Sequence, residues 1–216
     1  MRPEIIPGIL THTLEEYTHR LEMVEESPAT WAHVDIMDGQ FVPNISVMPH
    51  EFMSLTTRLK LEIHLMAFRP ERYFADLTVA GATRVLLHRE AYQSFEECKQ
   101  ALQMASEYFP EVGLVINPDT EVESYADLPI VSVQCMSVHP GASGQPFLES
   151  AFEQVKKVAA QKLPVTIAVD GGVSEDNIRE LQAIGAERFV ITSHLYITNN
   201  LPQRFNYFTQ LVSGVV

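Results

Sequence analysis

The 216-residue chain is short of cysteine and of positive charge. Its two cysteines, Cys98 and Cys135, form no metal-binding or redox motif. Two such thiols are typical of free core residues, and neither is assigned a function. The 15 Lys and Arg residues are outnumbered by 28 Asp and Glu residues, which gives a formal net charge of -13. This balance argues against a nucleic-acid partner and against binding to an anionic membrane surface.

Long apolar runs are also missing. No stretch of about 18 consecutive apolar residues occurs, and the opening MRPEIIPGIL contains no apolar segment of signal-peptide length. We therefore expect a soluble, cytoplasmic protein with no membrane partner. No linker or low-complexity tract divides the chain, so residues 1–216 are expected to form a single domain.

Eight apolar, β-rich runs alternate with eight amphipathic stretches along the chain. The predicted strands are Ile5–Leu10, Trp31–Met37, Leu61–Ala67, Arg84–Glu90, Val112–Asn117, Val131–Val138, Val165–Gly171 and Arg188–Ser193. The clearest helical stretches are Leu14–Glu26, Phe95–Tyr108, Phe152–Gln161, Glu175–Ile184 and Gln203–Val212. Repeated strand–helix units pair in parallel through right-handed crossovers. Eight units predict an α/β protein with a closed (β/α)8 (TIM) barrel, since an open doubly wound sheet usually has five or six strands.

Polar residues stand where several of these strands end, which is where such barrels carry their chemistry. The second strand contains His33 and Asp35, the third contains His64, and the seventh contains Asp170. Two imidazoles and two carboxylates suit one divalent ion such as zinc, iron(II), manganese or cobalt. Any one of these residues is equally compatible with a structural hydrogen-bond network. Their convergence on one rim favours a metal site.

The two aspartates predict a reaction type. The second and seventh strands lie on nearly opposite sides of a ring of eight, so Asp35 and Asp170 are expected to approach a central ligand from opposite faces. One acid can then remove a proton from a carbon while the other returns a proton to the far side. A cation bound to the neighbouring carbonyl and hydroxyl would stabilise the intervening cis-enediolate. The pattern therefore predicts inversion of a carbon next to a carbonyl.

Methionines and glycine-rich loops complete the predicted pocket. Met37, Met66 and Met136 lie near strand ends, where thioethers can line the mouth, although each taken alone is more typical of an ordinary core residue. Small residues are concentrated in HPGASGQPF (139–147), DGGVSEDN (170–177) and TSH (192–194). Such loops can turn backbone N–H groups towards an anion, or can simply form turns. Placed after the sixth, seventh and eighth strands, they predict a phosphate-binding barrel.

These motifs together resemble the ribulose-phosphate 3-epimerase family over essentially the whole chain. The resemblance rests on HVDIMDGQFVPN, EIHLM, LLHRE, NPDT, the loop Pro140–Phe147 and VDGG, in the family's order and spacing. It implies a metal-dependent isomerase of the pentose phosphate pathway that forms a homo-oligomer and acts on a small sugar phosphate. It implies metal ligands at His33, Asp35, His64 and Asp170, with Asp35 and Asp170 as the acid/base pair.

The resemblance also implies the residues around the substrate. Those near the sugar are Met37, Met66 and Met136, and those near the phosphate are Gly141, Ala142, Ser143, Gly144, Gly171, Gly172, Thr192 and Ser193. Gly8 stands where the family usually has the serine of Pro-Ser-Ile-Leu. Ala142 and Ser143 replace a phenylalanine and a glycine of the phosphate loop, and Thr192 replaces the glycine of a Gly-Ser pair.

These departures leave the substrate open. The expected pair is D-ribulose 5-phosphate and D-xylulose 5-phosphate, and the alternatives are a hexulose phosphate such as allulose 6-phosphate, or a catalytically weak paralogue that binds sugar phosphate. A decarboxylase or aldolase on a related barrel is disfavoured, because EIHLMAF contains no D-x-K-x-x-D run.

Overall fold

The structure is a computed structural model that describes residues 3–198 and 200–214. Its strands are β1 (Glu4–Ile9), β2 (Trp31–Met37), β3 (Lys60–Met66), β4 (Ala82–His88), β5 (Glu111–Ile116), β6 (Ser132–Met136), β7 (Thr166–Asp170) and β8 (Arg188–Ile191). Each strand pairs in parallel with its neighbour in the chain, and β8 pairs with β1 to close the ring. The predicted TIM barrel is confirmed.

Helices surround the barrel, although fewer than the sequence pattern predicts. The α-helices are α1 (Leu14–Glu25), α2 (Pro49–Phe52), α3 (Phe74–Val79), α4 (Phe95–Tyr108), α5 (Ser150–Ala160), α6 (Ile178–Ala183) and α7 (Leu201–Ser213). Short 3-10 turns occur at Pro70–Tyr73, Arg89–Ala91 and Ser193–Leu195. Within residues 3–198 and 200–214, no helix is both long and apolar enough to cross a membrane.

The connection from β5 to β6 corrects the prediction of eight helical stretches. In the part of the chain that the structure describes, this connection contains no helix. Backbone groups of this loop are instead hydrogen-bonded by a side chain that is distant in the sequence. The Gln161 side chain accepts from the N–H of Tyr125 and donates to the carbonyl of Glu123. The buried Tyr125 ring anchors the loop against the core. Pro118 and Pro129 near its ends also disfavour a continuous helix.

The β2 strand shows how the barrel separates its two faces. All seven residues of WAHVDIM are buried. Val34 and Ile36 belong to the apolar core. Because side chains alternate along a strand, His33 and Asp35 point to the barrel interior instead. The period-2 interpretation of this stretch is therefore correct, and both polar groups face the barrel axis.

Both cysteines are free and buried, as the sequence analysis expects. Burial raises the pKa of Cys98 and of Cys135 to about 12. Because the thiolate is the reactive form of cysteine, neither side chain has the properties of a nucleophile.

Candidate metal-binding active site

The four residues predicted as metal ligands converge inside the C-terminal end of the barrel. His33 and Asp35 come from β2, His64 from β3 and Asp170 from the last position of β7. One potential ligand atom from each lies within 4.8 Å of the other three. The register places Asp35 directly beside His64. The histidine side chains are fully buried, whereas those of Asp35 and Asp170 are 9% and 10% exposed.

His33 has one nitrogen committed to the protein and one left open. Its Nδ1 lies 2.7 Å from Oε1 of Glu62. Its Nε2 is buried without a hydrogen-bond partner among the described residues and lies 3.4 Å from Asp35 Oδ1. Ligating histidines commonly donate their second N–H to a carboxylate in this way. An ion in the cluster would satisfy this nitrogen, so the site fits a divalent metal.

His64 is held from behind by a second histidine. Its Nδ1 lies 2.9 Å from Asp35 and 3.4 Å from Asp170, and its Nε2 lies 2.8 Å from Nε2 of His88. Nδ1 of His88 lies 3.0 Å from Glu90. Burial lowers the pKa of His88 to about 4, so this ring is neutral, with one donor and one acceptor nitrogen. An N–H of His64 can therefore donate to His88, which leaves His64 Nδ1 available to an ion.

The carboxyl groups and the histidines of the cluster shift one another's pKa. Burial alone would raise the pKa of Asp35 and Asp170, but the close approach of His33 and His64 outweighs it and holds the pKa of both carboxyl groups below the ordinary value. The same contacts with the carboxylates outweigh the effect of burial, which alone would lower the pKa of a histidine, and raise the pKa of both His33 and His64. A divalent cation held by these four residues would likewise place positive charge beside both carboxylates.

Two residues that contact the cluster, Gln134 and Glu62, were not predicted from the sequence. Gln134 on β6 donates to Oδ2 of Asp170 at 3.1 Å and lies 3.6 Å from the sulfur of Met136. Glu62 on β3 binds His33, and contact with His33, Arg84 and Arg188 lowers its pKa to about 2 despite burial. Each polar side chain lies two residues before a predicted site residue, on the same inward face. A polar residue two positions before a site residue in a buried strand could have predicted that both side chains face the barrel interior.

A pocket opens above the cluster. The predicted site residues that line it are Asp35, His64, Met66, Met136, Gly141, Ala142, Ser143, Gly144, Asp170, Gly171, Gly172, Thr192 and Ser193. No Lys or Arg among the described residues contributes to this lining. An anion here would depend on backbone N–H groups of the surrounding loops.

Three predicted residues lie outside this lining. His33 belongs to the cluster but is completely buried, and Gly8 lies beneath the side chain of Thr192. Met37 is completely buried and packs with Val42 and Met66.

The glycine loops are tied to one another and to the segment after β2. Asn44 donates to the carbonyl of Gly141 at 2.7 Å, which joins HVDIMDGQFVPN to the loop after β6. Gly171 and Gly172 have φ angles of 106° and 59°, a region that favours glycine. A side chain at Gly172 would lie 2.8 Å from the backbone nitrogen of Phe147, so the two loops touch through their backbones.

Gly171→Ala is expected to raise the KM for the ligand of this pocket about tenfold, because its φ of 106° is strained for alanine and its new methyl would meet Val138. Steady-state kinetics and the thermal midpoint provide the measurement. Gly144→Ala is the matched control, since Gly144 also has positive φ but has nothing within 4 Å of an added Cβ. Equal effects of the two substitutions would contradict a role for close packing at Gly171.

The fold and the site together define a TIM-barrel enzyme with a four-residue site able to hold a divalent ion, and with glycine loops suited to an anionic ligand. The family model described as the ribulose-phosphate 3 epimerase family matches residues 4–196. The chain belongs to the ribulose-phosphate 3-epimerase family. It is therefore an isomerase of the carbohydrate epimerase type.

Several relatives are similar in sequence to this chain along most of their length. Ribulose-phosphate 3-epimerase of Chlamydia trachomatis serovar D is 32% identical over 202 residues, covering 89% of this chain and 85% of its own. The Bacillus subtilis strain 168 enzyme of the same name is 32% identical over 204 residues, covering 89% of this chain and 92% of its own. The chloroplastic ribulose-5-phosphate-3-epimerase of Arabidopsis thaliana is 34% identical over 201 residues, covering 89% of this chain and 71% of its own.

Solved structures with little sequence identity share the fold alone. KGPDC from Streptococcus mutans has a TM-score of 0.69 at 12% identity, covering 100% of this chain and 99% of its own. Phosphoribosyl anthranilate isomerase from Thermus thermophilus has a TM-score of 0.68 at 14% identity, covering 99% of this chain and 100% of its own.

Proposed function

We propose that the protein interconverts D-ribulose 5-phosphate and D-xylulose 5-phosphate by inverting the third carbon of the sugar. Residues 1–216 act as one catalytic domain in this proposal. The observation that carries it is the arrangement of Asp35 and Asp170, which reach one pocket from strands three positions apart around the ring. The family membership and the names of the relatives support the choice of substrate.

Each aspartate has one oxygen engaged and one available. Oδ1 of Asp35 contacts both histidines of the cluster, and Oδ2 of Asp170 contacts the same two histidines and Gln134. In the part of the chain that the structure describes, no hydrogen bond reaches the second oxygen of either carboxylate. These free oxygens can exchange protons with a ligand in the pocket.

The two carboxyl groups divide the reaction between them. One, ionised, removes the proton from the third carbon, and the other, protonated, returns a proton to the opposite face of the resulting cis-enediolate. The reverse reaction exchanges their roles. When bound by His33, Asp35, His64 and Asp170, a divalent ion supplies electrostatic stabilisation for the negative charge that develops on the substrate oxygens.

Positioning of the substrate falls to the loops and the methionines. Backbone N–H groups of Gly141–Gly144, Gly171, Gly172, Thr192 and Ser193 hold the phosphate in this proposal. Met66 and Met136 line the same pocket. Their thioethers can pack against a planar intermediate without offering it a proton. Met37 supports Met66 from behind.

Solvent exchange tests the function directly. The metal-loaded protein is incubated with ribulose 5-phosphate in heavy water, and deuterium uptake at the third carbon is followed together with formation of xylulose 5-phosphate. Uptake with epimerisation supports both the chemistry and the substrate. Absence of both, in protein shown to contain metal, overturns the pentulose assignment.

A hexulose phosphate such as allulose 6-phosphate is the second candidate. Ala142, Ser143 and Thr192 differ from the family pattern and line the pocket, so they can change the preferred length of the sugar. A panel of ketose phosphates compared by kcat/KM separates the two substrates. Ligand binding without any proton exchange would instead indicate a catalytically weak paralogue.

The family resemblance also supports the proposal that the protein is a homo-oligomer. Light scattering on the purified chain tests this, and a monomer at micromolar concentration would contradict it.

A further inference from the structure

Gly8 and Thr192 share one space on the inner face of the barrel. Gly8 lies on β1 and is the register partner of His33 on β2. A methyl group built on Gly8 would overlap the hydroxyl oxygen of Thr192 and would lie 3.2 Å from its Cβ. It would also lie 3.4 Å from a methyl group of Val190. The Thr192 side chain therefore occupies the room that a side chain on β1 would need.

The hydroxyl of Thr192 is free to bind a ligand. Thr192 follows β8 directly, is half-buried and lines the pocket together with Asp170 and Gly171. Its carbonyl accepts a hydrogen bond from Leu195. No hydrogen bond from residues 3–198 or 200–214 reaches its Oγ1. A hydroxyl on a pocket wall that can both donate and accept can recognise an oxygen of the ligand.

The position of this hydroxyl along the barrel indicates which end of the ligand it meets. Gly8 is level with His33, whose open Nε2 belongs to the metal-ligand cluster. Because the Thr192 hydroxyl lies over Gly8, it is beside the cluster rather than out among the glycine turns. In the proposed function, the reacting carbons lie at the cluster and the phosphate lies at the turns.

We propose that the Thr192 hydroxyl hydrogen-bonds a hydroxyl or carbonyl oxygen at the sugar end of the ketose phosphate, and that Gly8 leaves the space for it. This inference rests on the proposed function. Two departures from the family pattern, the missing serine at Gly8 and the threonine in place of glycine at Thr192, then have the same cause. The two side chains would compete for one space, so only one of the two positions can carry a side chain. The hydroxyl is supplied from β8 in place of β1.

Substitution of Thr192 isolates the hydroxyl. Thr192→Val keeps the shape and removes the oxygen, and it is expected to lower kcat/KM for ribulose 5-phosphate about tenfold, the effect of one lost hydrogen bond. The inhibition constant of inorganic phosphate is expected to remain unchanged, because backbone groups hold that anion. Thr192→Ser retains a hydroxyl and should stay within about threefold of the wild type.

Exchange of the two side chains tests the shared space. Gly8→Ser alone should lower both the thermal midpoint and kcat/KM, because it overlaps Thr192. The double variant Gly8→Ser with Thr192→Gly should recover both quantities, since its hydroxyl is now on β1. Gly8→Ala with Thr192→Gly is the matched control, because it fills the space without a hydroxyl and should recover the midpoint but not kcat/KM.

Three outcomes overturn the inference: wild-type kcat/KM in Thr192→Val, a parallel weakening of inorganic phosphate inhibition, or equal activity of the serine and alanine double variants. Failure of the proposed function is distinguishable, because the wild type itself then turns over no ribulose 5-phosphate. The dissociation constant of ribulose 5-phosphate, measured by calorimetry for the wild type and for Thr192→Val, then tests the hydroxyl contact. Binding about tenfold weaker to Thr192→Val supports the hydroxyl contact, whereas equal binding or none by the wild type overturns it.

Discussion

Asp35→Asn and Asp170→Asn, made singly, are each expected to lower kcat for epimerisation by about 10²–10⁴-fold, the range for loss of a positioned acid or base. Asparagine keeps the shape and an oxygen that can contact the histidines, but it cannot accept or return the proton. The fold should survive, because both side chains lie at the pocket end of the barrel. Initial rates, metal content and the thermal midpoint are measured together.

Deuterium exchange distinguishes two acids from one. If each carboxylate serves one face of the carbon, each variant should retain slow exchange with one epimer and lose it with the other, in opposite senses. Asp127→Asn is the matched control, since Asp127 is exposed and away from the pocket. Near-normal turnover by either active-site variant, or identical exchange patterns in both, would rule out the two-acid mechanism.

The stretch around His33 and Asp35 was predictable because its pattern is local. A strand buried on both faces still alternates its side chains, so two polar residues at a spacing of two must share the interior face. The same rule applies to His64 and Asp170, which lie near the C-terminal ends of strands in a ring whose order follows the chain. The order of strands and the period of two were enough to bring the four groups together.

The β5–β6 connection could not be predicted because its partners are distant in the sequence. Its backbone groups bond to the side chains of Gln154 and Gln161, which follow more than 30 residues later. The burial of Met37 has a similar cause. The chain folds back after β2, where Asp38 bridges Ile45, and this segment brings Val42 over the methionine. Periodicity carries no information about such contacts.

Glu62 links the metal-ligand cluster to the opposite end of the barrel. Its Oε1 lies 2.7 Å from His33, and its Oε2 lies 2.5 Å from Arg84 and 3.8 Å from Arg188. Arg84 and Arg188 also pair with Glu111 and with Glu4 on neighbouring strands. Each of the two arginines near Glu62 is thus paired with a carboxylate on a neighbouring strand, and Glu62 itself orients the ring of His33.

Glu62→Gln is expected to weaken Zn²⁺ binding by about 10–100-fold, as removal of a supporting carboxylate does at other metal centres. The amide still accepts from His33 but no longer makes the imidazole more basic. The free energy of unfolding should fall by about 3 kcal/mol, because a buried arginine loses one of its carboxylates. Competition with a chromophoric chelator gives the Zn²⁺ affinity, and denaturant unfolding gives the stability.

Glu111→Gln is the control that separates the effect of Glu62→Gln on Zn²⁺ affinity from its effect on the free energy of unfolding. Glu111 pairs with the same Arg84, but its side chain is 32% exposed and it makes no contact with His33. Its loss should cost about 1 kcal/mol or less, because solvent screens the pair, and should leave Zn²⁺ affinity unchanged. If both variants weakened Zn²⁺ binding equally, Glu62 would act only through the stability of the barrel. A selective effect of Glu62→Gln means that its carboxylate orients His33 directly.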